Sequence, residues 1–352
     1  MSEVGRTPRV TVVTPCHDAE AFVGETIESV LAQDRPAVEH VIVDDASTDG
    51  SWAVIEAYAA RFPDRVRALR LSGNRGGSHA RNRGAELARG EFLMFLDADD
   101  LIAPGTLGAL VRAVEDRPLA VGFCPWRRLR RRGGTGPWES APADAPLPTP
   151  DPDVALRGWI EGTAWSPPCA VLWRRDAYTL TGGWDESLTL NDDGDLMLRA
   201  LALGARPVRS EGGEALYRWH DAARMSVSQS FLKEEKLRSQ VRVLDKLAAV
   251  LEGQGRVADF AASLGLGYQQ AALLGFQSGH RELARECLRT GERMGGRRAV
   301  SPTPAGRLAV RLLGLERKEM LVQALARLGF MSSQRRRLFR LKARGEVAGS
   351  AS

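Results

Sequence analysis

The first hundred residues alternate short β-branched runs with stretches of helical periodicity, and that alternation leaves few folds open to the chain. Arg9 to Thr14 (RVTVVT) is apolar or β-branched from Val10 onward, as a strand buried on both faces of a parallel sheet must be. Ala21 to Gln33 then carries Phe22, Val23, Ile27, Val30 and Leu31 at helical spacing, which buries one stripe against a sheet. A second strand follows at His40 to Val43, completing one strand-helix-strand crossover of the kind parallel pairing requires. Ser47 to Gly50 reads as a turn and helix cap, Ser51 to Arg61 as a second helix and Val66 to Leu71 as a third strand. Gly73 to Gly77 is a glycine-rich loop, Ser78 to Ala88 a helix, and Glu91 to Leu96 a fourth apolar strand running directly into Asp97.

Asp97-Ala98-Asp99-Asp100 therefore sits at a strand's carboxyl end, where open α/β sheets bind ligands. Carboxylates one residue apart can place one oxygen on a divalent cation and another near a ribose hydroxyl. Such hard oxygen ligands suit Mg2+ or Mn2+, which complete their coordination with water and substrate phosphates. A Lewis acid there stabilises the charge of a departing nucleoside diphosphate. A solvated turn capping the next helix has the same local sequence, so the cluster gains weight from a second acidic pair. Asp44 and Asp45 close the second strand, where a carboxylate can accept a hydrogen bond from a base imide N–H; Ser47 and Asp49 beside them read as helix caps.

The remainder divides by composition. A helix is expected over about Pro104 to Arg117 and a strand near Ala120 to Trp126. Residues 127–153 hold five arginines and six prolines, the composition of a mobile loop. Structure resumes around Val154 to Glu161, with a strand at Val171 to Arg174, a turn at Gly182-Gly183-Trp184-Asp185 and a helix after Asp192-Asp193-Gly194-Asp195. Beyond Ser230 the chain reads as helical, with Leu237, Val241, Leu244, Ala248 and Leu251 on one face. Tyr268 to Met294 resembles a single helical hairpin of a tetratricopeptide-like array, short of the repeats such arrays need. Two units follow from this: residues 1–228, a mixed, mostly parallel α/β sheet flanked by helices, and 229–352, a helical accessory region with a basic tail.

Composition excludes several classes. No apolar run in the 352 residues approaches the length of a membrane span. Cys16, Cys124, Cys169 and Cys287 lie far apart and neither they nor the five histidines cluster, which argues against zinc and for a cytoplasmic protein with reduced thiols. The net charge of +5 concentrates in Arg127 to Arg132 and Arg335 to Arg344. These segments lack interleaved aromatics and any nucleic-acid module. The tail, with Leu338, Phe339 and Leu341 among its arginines, offers either a peripheral contact with an anionic membrane face or a merely solvated end.

Thr14-Pro15-Cys16-His17-Asp18-Ala19-Glu20, Ser29-Val30-Leu31-Ala32-Gln33, Val43-Asp44-Asp45-Ala46-Ser47, Ala80-Arg81-Asn82 and Asp97-Ala98-Asp99-Asp100, in this order and spacing, resemble family 2 glycosyltransferases over roughly residues 8–226. The resemblance implies a GT-A fold, a nucleotide-sugar donor (a UDP-sugar by default), a divalent metal, and inversion at the anomeric carbon by direct displacement. Residue by residue, it implies that Thr14 and Pro15 line the base pocket, Asp45 contacts the base, Arg81 lies near the nucleotide or its phosphates, Asp97 faces the ribose and Asp99 the metal. Cys16 and His17 depart from the family's more usual Thr-Tyr or Ser-Tyr. Gly182 to Leu188 followed by Asn191-Asp192-Asp193-Gly194-Asp195 and Arg199 resembles the family segment in which an acidic residue precedes a helix. This aligns Asp193 with the general base that deprotonates the acceptor hydroxyl, with Asp192 as its rival. Asp195 reads as a first-turn helix charge or a partner of Arg199 one turn on. Tyr217-Arg218-Trp219-His220 resembles the motif after the last sheet strand, which implies His220 near the diphosphate or metal. Trp165, in loop beside Ser166-Pro167-Pro168, is the indole expected to face an acceptor, whether glycan, lipid-linked or small molecule. Two other classes stay open at this stage: a degenerate scaffold, and a sugar-phosphate nucleotidyltransferase, although Val12 to Glu20 lacks the glycine-rich phosphate loop of the latter.

Overall fold

In a computed structural model of the chain, the described residues are 10–33, 38–131, 136–143, 146–220, 233–295 and 304–327. They fall into two compact units. The first comprises Met1–Trp159, Thr163–Ser187 and Asp192–Asp221; the second comprises Ile160–Gly162, Leu188–Asn191 and Ala222–Ser352.

Through its first half the chain runs β1 (Val10–Cys16), α1 (Glu20–Leu31), β2 (Val38–Asp44), α2 (Ser51–Arg61), β3 (Val66–Arg70), α3 (Gly77–Leu87), β4 (Phe92–Phe95), β5 (Leu101–Ile102) and α4 (Thr106–Val114). It continues with β6 (Ala120–Phe123), β7 (Trp126–Arg131), β8 (Trp138–Pro142), α5 (Pro152–Glu161), β9 (Val171–Arg174), α6 (Arg175–Leu180), α7 (Asp192–Ala202), β10 (Arg206–Arg209) and β11 (Ala215–Trp219). Seven strands form a sheet in the order β10-β6-β9-β4-β1-β2-β3. Neighbours are parallel except around β9, which runs antiparallel to both β4 and β6. This is the mixed, mostly parallel α/β sheet that the strand-helix alternation predicts. Val10, Val12 and Val13 of β1 and Phe92, Leu93 and Met94 of β4 are fully buried, as central strands covered on both faces should be.

Helix α3 approaches the sheet through small residues. A Cβ on Gly84 would lie 2.3 Å from Cγ1 of Val13 and 3.4 Å from Cγ2 of Val43, so only glycine lets the helix lie this close to β1 and β2. That approach fixes the height at which Arg81, one turn earlier, stands over the sheet's carboxyl edge.

A second sheet, ordered β5-β11-β7-β8, corrects the expectation for residues 127–153. The stretch read as a mobile loop contributes β7 and β8, which pair antiparallel from Arg127↔Pro142 to Arg131↔Trp138. The expected strand at Ala120 to Trp126 accordingly divides between two sheets. The physical reason lies in the arginines: the guanidinium of Arg128 stacks 4.5 Å from the Trp219 ring centroid and that of Arg131 stacks 4.4 Å from Trp138. Arginine planes pair with indoles and extend strand surfaces, a role that composition alone does not reveal.

The second unit contains α8 (Glu234–Gly253), α9 (Val257–Ser278), α10 (Arg281–Arg293), α11 (Pro304–Leu313) and α12 (Leu315–Arg327). Helices α9 and α10 form the hairpin anticipated from the sequence; a Cβ on Gly275 would stand 2.8 Å from that of Ala284. Within this unit the hydroxyl of Ser239 donates to the Leu190 carbonyl at 2.8 Å and accepts the N–H groups of Thr189 and Leu190 at 3.1 Å each. No helix among the described residues is long and apolar enough to cross a membrane. The basic tail beyond Arg327 lies outside the described residues.

Gly84→Ala should lower stability by about 1–3 kcal/mol, because the buried Val13 has nowhere to move. The measurement is urea unfolding, with a reduced midpoint and an unchanged m-value; an unaltered midpoint would mean that α3 has slack against the sheet.

Candidate active site at the junction of the two sheets

The acidic cluster bridges the two sheets. Strand β4 delivers Asp97 from the large sheet, and β5, immediately after Asp100, pairs antiparallel with β11 of the small one. The backbone between is pinned from both sides. The Thr26 hydroxyl lies 2.8 Å from the Ala98 carbonyl and 2.9 Å from that of Asp100. From β11, the Arg218 N–H donates to Asp100 Oδ1 at 2.8 Å and its guanidinium donates to the Asp99 carbonyl at 2.9 Å and to Glu25. Burial, with the charges of Asp99 and Asp97, pushes the Asp100 carboxyl well above the usual range, so Asp100 is a structural acid held toward its neutral form.

Asp97 and Asp99 are the accessible pair. Asp99 Oδ2 lies 2.8 Å from Nε2 of His220, the residue directly after β11. The His220 ring is seated edge-on against Phe22 and Trp138, with centroids 5.1 and 5.6 Å away. Asp97 Oδ1 accepts a hydrogen bond from the Arg81 guanidinium at 2.6 Å. Burial raises the Asp97 pKa, with Arg81 opposing the shift and Asp99 reinforcing it.

Arg81 joins this strand end to the start of α7. Its other terminal nitrogen donates to Asp192 Oδ2 at 3.1 Å, and its guanidinium lies 4.5 Å over the Trp184 ring. Burial works against the charge on Arg81, but the Asp97 and Asp192 carboxylates overcome it and raise its pKa. Ser78, one turn before Arg81 on α3, donates to the same Asp192 oxygen at 2.6 Å. Sequence reasoning missed Ser78; its i, i+3 relation to Arg81 on a helix was the available signal. Asn82 completes the motif by clamping the turn at Gly183: its amide donates to the Trp184 carbonyl and accepts the Trp184 N–H, each at 2.9 Å. Gly182 and Gly183 have φ of 75° and 91°, conformations that favour glycine.

Asp193 follows Asp192 in the first turn of α7. Burial and the adjacent Asp192 charge raise its pKa to about 6. Its Oδ2 accepts a hydrogen bond from Trp165 Nε1 at 3.3 Å. Trp165 stands edge-on to Trp126 and Tyr217, at centroid distances of 5.4 and 5.6 Å. By contrast, Trp173 and Trp184 are only 4% exposed and belong to the core. Asp195 is buried against Arg199, which donates to it at 2.6 and 2.9 Å, the helix-partner role expected of it.

The third acidic position is built differently. Asp45 is 2% exposed, and its two oxygens accept the N–H groups of Arg75 and Gly76 at 2.8 and 2.7 Å. It thus holds the glycine-rich loop, with one lone pair left on each oxygen. The Thr14 side chain turns into the sheet, where its hydroxyl lies 2.8 Å from Nε2 of His40; Pro15 is the partly accessible member of that pair. His17, where the family more usually has Tyr, bridges the Asp45 carbonyl through Nδ1 and Asn74 through Nε2, each at 2.9 Å.

The arrangement brings Arg81, Asp97, Asp192 and Asp193 into one network, with Asp99 and His220 beside it. Among the described residues no group of three or more His, Cys, Asp or Glu side chains gathers as a metal cage. One carboxylate and one imidazole converging at 2.8 Å nonetheless fit a cation that draws most of its coordination from phosphate oxygens and water.

Residues 11–169 match the Glycosyl transferase family 2 model. The chain is similar to the succinoglycan biosynthesis protein ExoO of Rhizobium meliloti (strain 1021), with 37% identity over 113 residues, which is 32% of this chain and 31% of that protein. It spans half or less of the length of the first curated relatives it matches. Among solved structures, S. aureus TarS 1-349 in complex with UDP-GlcNAc superposes with a TM-score of 0.50 at 21% identity, over 82% of this chain and 92% of that one. GalNAc-T7 with UDP, GalNAc and Mn2+ superposes with a TM-score of 0.55 at 15% identity, over 82% and 56%. These likenesses give the fold: a GT-A glycosyltransferase architecture.

Arg81→Met would leave the half-buried Asp97 and Asp192 without their shared cation and should destabilise the chain by about 1–3 kcal/mol near pH 8. The loss should shrink toward pH 5, as Asp97, raised by burial and now without the opposing Arg81 charge, takes up a proton. Denaturant midpoints at the two pH values check the sign; an equal loss at both would assign Arg81 a packing role only.

Proposed function

We propose that this chain, whose residues 11–169 match the Glycosyl transferase family 2 model, is an inverting glycosyltransferase that moves a sugar from a nucleotide-diphosphate sugar to an acceptor hydroxyl. The observation that carries the reading is Arg81: it ties Asp97, at a strand's carboxyl end, to Asp192, beside the carboxyl group of Asp193. One cation thereby couples a leaving-group site to a base.

In the proposed reaction Asp193 accepts the acceptor hydroxyl's proton. The acceptor oxygen forms its bond to the anomeric carbon while the bond from that carbon to the diphosphate oxygen breaks, its electron pair leaving on phosphate. A pKa of about 6 suits a base that must be ionised near neutrality and still attract a proton. Trp165 orients the Asp193 carboxylate through its indole N–H and offers its ring to a sugar acceptor. Asp192 keeps Arg81 in place and is thereby less available as the base. Asp97 faces the ribose, Asp45 and Pro15 the base, and Thr14 supports that pocket from behind.

A Mg2+ or Mn2+ ion held by Asp99 and His220 would supply Lewis-acid charge at the departing phosphate. The carboxylate excess supports a cation, since Asp97, Asp99, Asp192 and Asp193 face one guanidinium and one imidazole. A diphosphate entering alone would meet net repulsion. The neighbours crystallised with UDP-GlcNAc and UDP support a UDP-sugar as donor, and the relative named for succinoglycan biosynthesis supports a polysaccharide-type acceptor.

Asp193→Asn should lower kcat by about 10²–10⁴-fold while donor binding, followed by calorimetry, stays near its original value. Transfer that survives in both Asp99→Ala and Asp193→Ala would overturn the assignment. In the unaltered enzyme kcat/KM should rise with pH through about 6, because ionised Asp193 is the active form. That acid limb should vanish in Asp193→Asn. A scaffold without activity would bind no UDP-sugar in the presence of Mn2+, which the same calorimetry reads directly.

A further inference from the structure

Eight large hydrophobic residues are exposed among the described residues, and six of them lie in α11 and α12: Leu308, Leu312, Leu313, Met320, Leu321 and Leu325. Leu312 is 74% and Leu308 56% exposed, one turn apart on α11. Solvent does not favour such a concentration of aliphatic surface within two short helices.

The charges around it are of one sign. Residues 304–327 contain two acids, Glu316 and Glu319. Glu316 accepts two hydrogen bonds from the Arg285 guanidinium, at 2.6 and 3.0 Å from one oxygen. Glu319 is 1% exposed and paired with Lys318. Arg311 and Arg317 stand exposed on the surface of the pair. The sequence that follows α12 repeats this composition, with Arg335, Arg336, Arg337, Arg340, Lys342 and Arg344 against a single acid, Glu346, and with Leu338, Phe339 and Leu341 between them.

We propose that α11 and α12 dock the chain on an anionic lipid surface, with the leucines in the acyl boundary and the arginines at the headgroups. Aliphatic side chains flanked by cations on short helices are the pattern of an interfacial element. At 10 and 13 residues these helices lie on a bilayer and do not span it. The exposed set contains no Trp, Tyr or Phe, the residues that anchor specific protein interfaces; leucine and methionine need only a fluid apolar phase. Arginines near a leaflet rich in acidic lipid add attraction that falls with salt.

The test uses the full chain and sedimentation with two sets of vesicles, phosphatidylcholine alone and phosphatidylcholine mixed with phosphatidylglycerol. Binding is expected to the second set only, and to weaken as salt rises. The double variant Leu308→Ser/Leu312→Ser, its tail intact, should lose about tenfold or more of that binding, given the transfer free energy of two leucines. Arg311→Glu/Arg317→Glu should lose a similar amount without touching the apolar set. Thermal unfolding and donor turnover on a soluble acceptor check that both variants are folded, and they separate this inference from the transferase reading, which stands or falls independently. Three outcomes each overturn the proposal: undiminished binding by the leucine variant, which would assign attachment to the tail alone; binding by neither the unaltered chain nor the variants; and a dimer that the leucine variant dissolves, which would make a second copy the occupant.

Discussion

Most of the candidate site's geometry in the first unit depends on one buried guanidinium. Arg81 accepts confinement between Asp97 and Asp192 and over the Trp184 ring. A buried cation without partners costs several kcal/mol, and paired carboxylates at contact distance recover it only when the geometry is held rigidly. Rigidity comes from α3. Gly84 brings the helix against Val13 and Val43, Ser78 adds a hydrogen bond to Asp192, and Asn82 fixes the Gly183 turn. Sheet packing, helix position and acid placement are consequently one constraint seen at three scales.

The same site holds more negative charge than it neutralises internally. Asp100 escapes the problem through burial and the Arg218 N–H, which leave it toward its neutral form. Asp97 is raised more weakly because Arg81 opposes the shift. Asp99 reaches outward to His220. The three carboxyl groups at the strand end thus have different environments, and Asp99 is the one set beside an imidazole. An acidic cluster at a strand end is here resolved into a structural acid, a guanidinium partner and a candidate ligand.

Much of this was legible in the sequence, for reasons tied to particular residues. The β1 and β4 strands read correctly because burial on both faces demands uninterrupted apolar runs, and α2 was bounded at Ser51 and Arg61 by its turn residues. The hairpin at β7 and β8 was not legible, because Arg128 and Arg131 pair with indoles that arrive from Trp219 and Trp138. Thr14 was read as a pocket residue, yet its hydroxyl is spent inside the sheet on His40, a partner that no local pattern announces. His40 itself is driven down to about 3 by burial, so it stays neutral and its ring acts as a polar core group. Asp45 carries an unforeseen duty, since its oxygens hold the backbone of Arg75 and Gly76. The i, i+3 spacing of a helix face would have found Ser78 beside Arg81; nothing short of the fold would have brought Trp165 to Asp193.

The choice between Asp192 and Asp193, open by sequence, turns in the proposed reading on what surrounds each carboxyl group. Adjacent acids at a helix start share the same favourable backbone field, so the helix alone cannot distinguish them; their lateral partners can. Asp192 receives the Arg81 cation and the Ser78 hydroxyl on one oxygen, and both contacts hold that carboxylate in place. Burial and the Asp192 charge beside it raise Asp193 to about 6, against the opposing pull of the Arg81 charge and of a 3.3 Å indole hydrogen bond from Trp165. The proposed function gives the acid-base work to the raised carboxyl. In the proposed reading Asp192 thus has two effects: it holds Arg81, and its charge beside Asp193 helps raise that carboxyl toward the range of a general base.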